Sequence, residues 1–293
     1  MMKISDIYSP DKTVFSCEVF PPKPENDIDI IYGTIEELKE IAPDFLSVTY
    51  GAGGGTRLRT LEISSRIKNT YKMESLMHLT CIDNRSQDIL KILKDMQSAG
   101  IENILALRGD IADKNPKKED PSGDFEYAGD LVQFIHDNTD LCIGVAGYPE
   151  IHPESGTAKD DIQNLRNKVR KGASFIISQL FFQNDFFYSF LDKFLDSIAA
   201  DNLDIHISAG IMPVFKANLL NRIISLSGST VPLKLQSLID KYGDKPEDME
   251  KAGIDYASRQ IEDLIRQQVD GIHLYTMNNA QLAKTIAHNA GLR

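Results

Sequence analysis

The chain has 293 residues, 42% of them hydrophobic and 26% charged, the balance of an ordinary soluble protein long enough to bury a sizeable core. A net charge of −11 argues against nucleic acid or an anionic membrane as the main partner, since both ask for a basic footprint. No apolar run approaches membrane-spanning length, and the amino-terminal MMKISDIYSPDK has no apolar signal core, so a cytoplasmic protein is expected.

The first strand is expected at Val14 to Phe20, β-branched and aromatic, and stops at Pro21-Pro22, which cannot continue a ladder. Ile28 to Ile41 follows with a helical stripe of Ile28, Ile31, Ile35, Leu38 and Ile41. Phe45 to Gly51 reads as a strand, Thr56 to Tyr71 as a helix and Leu76 to Cys81 as a strand. Ser86 is the expected cap of a helix closing at Gly100. Asn103 to Asp110, NILALRGD, is an apolar run with an abrupt ionic end. Past a polar loop, Phe125 to Asp137 is helical, Cys142 to Tyr148 a strand and Asp160 to Lys171 a helix. Ser174 to Phe182 is the sixth strand, Asp185 to Ala199 a helix, Ile205 to Met212 a strand and Lys216 to Leu226 a helix. Leu233 to Lys241 and Pro246 to Gln268 are further helix, with a solvated outer face expected on the second. Ile272 to Met277 and Ala280 to Asn289 close the chain as strand and helix.

Eight strands alternating with helices imply a parallel sheet with right-handed crossovers. The expected fold is therefore α/β, a (β/α)8 TIM barrel forming one domain over residues 1–293. The rival open sheet usually carries a glycine-rich dinucleotide fingerprint after its first strand, where this chain has EVFPP. Cys17, Cys81 and Cys142 sit singly in apolar runs without metal spacing, as buried thiols would.

Barrel chemistry sits at the carboxyl ends of the strands. Those ends offer Glu18; Thr49 and Tyr50; His78 and Thr80; Arg108 and Asp110; Tyr148, Glu150 and His152; Gln179; and Tyr275, Thr276 and Asn278. Glu18, between Cys17 and Val19, is costly to bury unless it is functional or paired, for instance with Arg108. The GAGGGT loop reads at least as well as a plain connection as it does as a phosphate cradle, and Phe181, Phe182, Phe186 and Phe187 read as core. Two chemistries fit the inventory. His78, Glu150 and His152, with Asp110 and Glu18, could hold a metal in a lyase or hydrolase. Alternatively Glu18 donates a proton while the other groups hold a bulky anionic cofactor.

Taken together, CEVFPP, FLSVTYGAGG, HLTCID, LALRGD, GYPEIHPE and HLYTMN, in this order from Ser16 onward, resemble the methylenetetrahydrofolate reductase family. The resemblance implies an FAD-dependent barrel interconverting 5,10-methylenetetrahydrofolate and 5-methyltetrahydrofolate, with no metal. It makes Glu18 the proton donor to N10, which opens the one-carbon bridge to an N5 iminium that accepts hydride from the flavin. It sets Asp110 against the pterin and Gln179 and Tyr275 against the folate. The implied FAD contacts are Thr49, His78, Arg108, Gly109, Asp110, Tyr127, Ala128, Ala146, Tyr148, His152, Asp161, Asn164 and Lys168. The electron donor is NADH, NADPH or a redox partner protein, and a homo-oligomer or a complex with a partner subunit is expected. Adenosylmethionine control is not expected.

The pattern departs from the family in three places. Asn279 stands where a folate-contacting arginine is common, Asn167 replaces a usually basic residue of the flavin helix, and VFKANLLNRI after Pro213 matches poorly.

Overall fold

The computed structural model describes residues 2–23, 25–50, 54–82, 84–109, 123–201 and 203–293, with no side chain described at 54–57, 219, 221, 222, 225 or 226. Eight strands close into a parallel barrel in sequence order: β1 (Val14–Val19), β2 (Phe45–Val48), β3 (Glu74–Thr80), β4 (Asn103–Leu107), β5 (Cys142–Gly147), β6 (Phe175–Ser178), β7 (His206–Ile211) and β8 (Gly271–Tyr275). β8 returns to pair with β1, with Glu18 opposite Tyr275 and Ser16 opposite His273. This is the expected (β/α)8 architecture. Around it lie α1 (Asp29–Leu38), α2 (Gly54–Asn69), α3 (Ser86–Ser98), α4 (Ala128–Asn138), α5 (Ala158–Arg170), α6 (Asn184–Ile198), α7 (Ala217–Ser227), α8 (Leu233–Tyr242), α9 (Pro246–Arg266) and α10 (Ala280–Asn289).

The strands are apolar on both faces because one face meets helices and the other the barrel axis. On β1, Phe15, Cys17 and Val19 join the layer between strands and helices, while Val14 turns inward with Phe45, Leu76, Leu105 and Phe175. Period-two alternation then sends Ser16 and Glu18 inward as well. Gly144 makes room for the floor of the barrel, since a Cβ there would lie 2.4 Å from Phe175 Cζ. The amino-terminal segment closes that floor. Tyr8 joins the same apolar cluster, its hydroxyl 2.8 Å from Ser208 Oγ, and Ile4 N donates to Asn103 Oδ1 at 2.7 Å. With the floor filled, chemistry is left to the opposite rim.

Several expected boundaries shift. The second, fourth and sixth strands stop at Val48, Leu107 and Ser178, ahead of Gly51, Asp110 and Phe182, so Thr49, Arg108 and Gln179 project from the rim. The fourth helix starts at Ala128, and Phe125 packs edge-on against Phe134 from outside it. Ser86 is the first residue of α3, and the cap comes from a distant carboxylate: Asp124 Oδ2 accepts from Ser86 N and Ser86 Oγ, at 2.8 and 2.6 Å. Gly100 and Gly172 take the left-handed conformation that terminates helices, with φ of 73° and 120°. Phe181, Phe182 and Phe187 are buried core, and the outer face of α9 is charged and exposed at Glu247, Glu250, Asp255, Arg259 and Glu262. No helix among the described residues is long and apolar enough to cross a membrane.

Candidate active site

Two groups of residues occupy the rim. The first surrounds Glu18. Its side chain is 18% exposed, and its Oε2 lies 3.7 Å from Nε2 of His78 on one side and 3.7 Å from Nε2 of His273 on the other. His78 is buried and its Nε2 has no hydrogen-bond partner among the described residues. Burial lowers the His78 pKa to about 4, against the pull of the Glu18 charge and with a small contribution from His273. Tyr275 walls the group. It meets His273 edge-on at 5.3 Å and donates its hydroxyl to Ser178 O at 2.9 Å, and burial raises its pKa well above the ordinary value. The backbone carrying the acid is clamped from β8: Thr276 Oγ1 donates to Glu18 O at 2.6 Å, and Asn278 bonds both the N–H and the C=O of Phe20. Thr49, one residue past β2, has its N–H bonded to Val19 O.

The second group forms a cleft of about 550 Å³ between the ends of β4 and β5 and helices α4 and α5. Arg108, Tyr127, Ala128, Ala146, Tyr148, His152, Asp161, Asn164 and Lys168 all line it. Asn167 lines it too. Gly109 turns the chain at the cleft's edge with φ of 89°, pressed so close to β3 that a Cβ would sit 2.9 Å from Thr80 and Ile82. Arg108 pairs with Glu154, a partner that sequence reading missed, and lies 5.5 Å over the Tyr127 ring. That guanidinium lowers the Glu154 pKa. Lys168 donates to Ala146 O at 2.6 Å, and burial lowers its pKa to about 8 despite Asp161 nearby. His152 Nδ1 accepts from Glu154 N at 3.1 Å, its ring edge-on to Tyr148, and partial burial lowers its pKa. Besides burial, the Glu18 carboxylate and Tyr148, when ionised, raise the Tyr275 pKa further, and Tyr148 also lines the cleft.

Arg108 engages Glu154, so the possible Glu18–Arg108 ion pair is not formed. Among the described residues no three His, Cys, Asp or Glu side chains group to hold a metal. His78 faces Glu18 and His152 lines the cleft, while Glu150 Oε2 accepts from Thr230 N at 2.9 Å. Asp110 and residues 51–53 of the GAGGGT loop lie outside the described residues. Asn279 Oδ1 caps α10 by accepting from Leu282 N at 3.0 Å, so its amide oxygen is spent on the helix. Sequence reading passed over His273 and Ser16 because they sit inside strands. The available signal was alternation, which puts His273 on the same face as Tyr275 and Ser16 on the same face as Glu18.

Burying His78 as a neutral ring has a stability consequence. Its folded pKa lies below the unfolded value, so below pH 6.5 the unfolded chain binds the proton first. The contribution is fully present above pH 6.5 and is lost as pH falls toward 4, up to about 3 kcal/mol. Urea unfolding between pH 7.5 and 4.5 should show that fall, and His78→Gln should flatten it.

A closed parallel barrel whose rim sets a partly buried acid beside a cleft lined by arginine, lysine and aromatic side chains has the makings of a cofactor-using barrel enzyme. The chain matches the methylenetetrahydrofolate reductase family over residues 3–291 and belongs to it, a family of oxidoreductases. It is 35% identical over 278 residues to 5,10-methylenetetrahydrofolate reductase of Pectobacterium carotovorum, covering 95% of this chain and 90% of the relative. It is 34% identical to the Escherichia coli enzyme of that name with the same coverage. Methylenetetrahydrofolate reductase (NADH) 1 of Arabidopsis thaliana is 34% identical over 99% of this chain and 50% of its own length. Among solved structures, a Clostridium thermocellum protein described as binding two copies of 5-methyl-5,6,7,8-tetrahydrofolic acid superposes with a TM-score of 0.64. The match covers 96% of this chain and 95% of that one at 15% identity, a likeness of fold.

Proposed function

We propose that this protein is a cytoplasmic, FAD-dependent reductase of 5,10-methylenetetrahydrofolate, working as one barrel domain over residues 1–293 with Glu18 as general acid. One observation carries the reading. Nine of the FAD positions implied by the resemblance, from Arg108 to Lys168, line a single cleft at the ends of β4 and β5.

The cleft suits the cofactor. Arg108 Nε is buried with no hydrogen-bond partner among the described residues, a donor suited to a phosphate or carbonyl oxygen. The first-turn N–H groups of Ala128 and Gly129 at the start of α4 favour anionic oxygen as well. Lys168 adds an ammonium, and Asp161 can accept from ribose hydroxyls. Tyr127 and Tyr148 supply apolar ring surface. Bound there, FAD supplies hydride transfer between the electron donor and the folate.

Glu18 does the proton chemistry. An amine is a poor leaving group until protonated, and a proton given to N10 of the folate weakens its bond to the bridging carbon. The one-carbon unit is then held as a cation on N5. Gln179, just past β6, Tyr275 and Asp110 are assigned to the folate by the resemblance. The donor is NADH, NADPH or a redox partner protein.

The test begins with purified protein. A flavin spectrum, FAD released on denaturation, and reoxidation of the reduced protein by 5,10-methylenetetrahydrofolate are expected. Protein that neither retains nor rebinds FAD overturns the proposal.

A further inference from the structure

The pattern of β1 runs past its own last residue. Even-numbered residues turn their backbone groups toward β8: Val14 N donates to Asp270 O, Glu18 O accepts from Thr276 Oγ1, and Phe20 bonds Asn278 through both its N–H and its C=O. Odd-numbered residues turn toward β2, with Phe15 O accepting from Asp44 N and Val19 O from Thr49 N. The same alternation sorts the side chains. Phe15, Cys17 and Val19 pack under the helices, Val14 enters the barrel floor, and Glu18 faces His78 and His273. Phe20 continues the inward series, one step above Glu18 at the mouth of the barrel.

That step is held by side chains. β8 ends at Tyr275, and Met277 and Asn278 take left-handed backbone, with φ of 52° and 54°. The Asn278 amide then stands in for the next peptide: Nδ2 donates to Phe20 O at 2.9 Å, and Oδ1 accepts from Phe20 N at 3.0 Å. Farther on, Arg59 of α2 donates to the carbonyls of Pro22, Lys23 and Asn26 at 3.2, 2.8 and 3.1 Å. A large apolar ring is thus fixed at the mouth, yet it is 38% exposed and joins none of the hydrophobic clusters among the described residues. The folate brings a ring to that height. N10, the atom assigned to Glu18, is the aniline nitrogen of the p-aminobenzoyl group, so the benzoyl ring is bonded directly to it. Two residues of strand rise about 6.6 Å, which carries Phe20 from the level of N10 to the level of that ring. We propose that Phe20 is a substrate contact packing against the p-aminobenzoyl ring, and that Asn278 is the positioning residue that holds it there. This rests on the reading of the protein as a folate reductase with N10 at Glu18.

Titration of the FAD-loaded protein with 5-methyltetrahydrofolate, followed by flavin absorbance, gives the Kd that tests this. Phe20→Ala should raise it about tenfold, the order of one aromatic contact, with FAD affinity unchanged. Asn278→Gly removes the amide without straining a left-handed residue and should raise the Kd by less. Combined with Phe20→Ala it should add nothing further, because Asn278 acts through Phe20. The chain has no tryptophan, so Phe20→Trp made with 5-fluorotryptophan carries a single fluorine probe. Nuclear Overhauser transfer is expected from that fluorine to the benzoyl ring protons of bound 5-methyltetrahydrofolate, whose reduced pterin has no aromatic C–H. An unchanged Kd in Phe20→Ala, additive effects in the double variant, or transfer to the pterin protons alone overturns the proposal. The underlying reading fails differently. If the flavin absorbance of the unsubstituted protein ignores 5-methyltetrahydrofolate, the folate reading falls; if the ligand binds and Phe20→Ala binds it equally well, only the assignment to Phe20 falls.

Discussion

Glu18→Gln is expected to slow folate reduction by about 10²–10⁴-fold, the usual worth of a general acid, while leaving FAD bound and still reducible by the donor. The amide is nearly isosteric with the carboxyl and can still sit between the two histidines, but it has no proton to give an amine. The two half-reactions report separately. Nine of the proposed flavin contacts line the cleft of β4, β5, α4 and α5, whereas Glu18 stands on β1 beside His273 and His78, the latter itself a proposed flavin contact. Anaerobic stopped-flow measurement of flavin reduction, then of its reoxidation by 5,10-methylenetetrahydrofolate, checks the split. A folate half-reaction that survives means that the proton comes from another group.

The second large effect is expected at Arg108. Replacing it with alanine should weaken FAD binding by roughly 10–100-fold, since a hydrogen bond to a charged group contributes about 1.5–3 kcal/mol. The loss comes from three sources in one side chain: a buried Nε with no hydrogen-bond partner among the described residues, an ion pair to Glu154, and the guanidinium over Tyr127. Arg108→Lys should recover only part of the affinity, because an ammonium has neither the planar fork nor the reach to serve all three. Titration of the apoprotein with FAD, followed by flavin fluorescence, measures it. Unchanged affinity in Arg108→Ala would remove Arg108 from the flavin site.

Both residues stand where the sequence led the reader to look, and the reasons differ. Glu18 is conspicuous because a carboxylate in VFSCEVF opposes the apolar pattern around it. Arg108 is conspicuous because NILALRGD ends a buried run in charge, and β4 does stop one residue earlier, at Leu107. His152 and Glu150 illustrate the limit. Their spacing in PEIHPE allowed a metal site, and the fold turns them to different neighbours, the Glu154 amide for one and the Thr230 amide for the other.

The sequence by itself determined the alternation of strands and helices, the barrel and the inventory of its rim. These follow from local properties: apolar runs, period-two and 3.6-residue patterns, and glycines such as Gly100 and Gly172 whose left-handed φ ends a helix. Only the tertiary structure decided which rim groups face one another. Ser16 and His273 are 257 positions apart and touch because β8 closes on β1; Asp124 caps a helix starting 38 residues earlier; Asn103 binds Ile4 across 99 residues to seal the floor. No window of sequence contains such pairs. Their distances are set by barrel closure and register, which fix the geometry of side chains that local propensity cannot place.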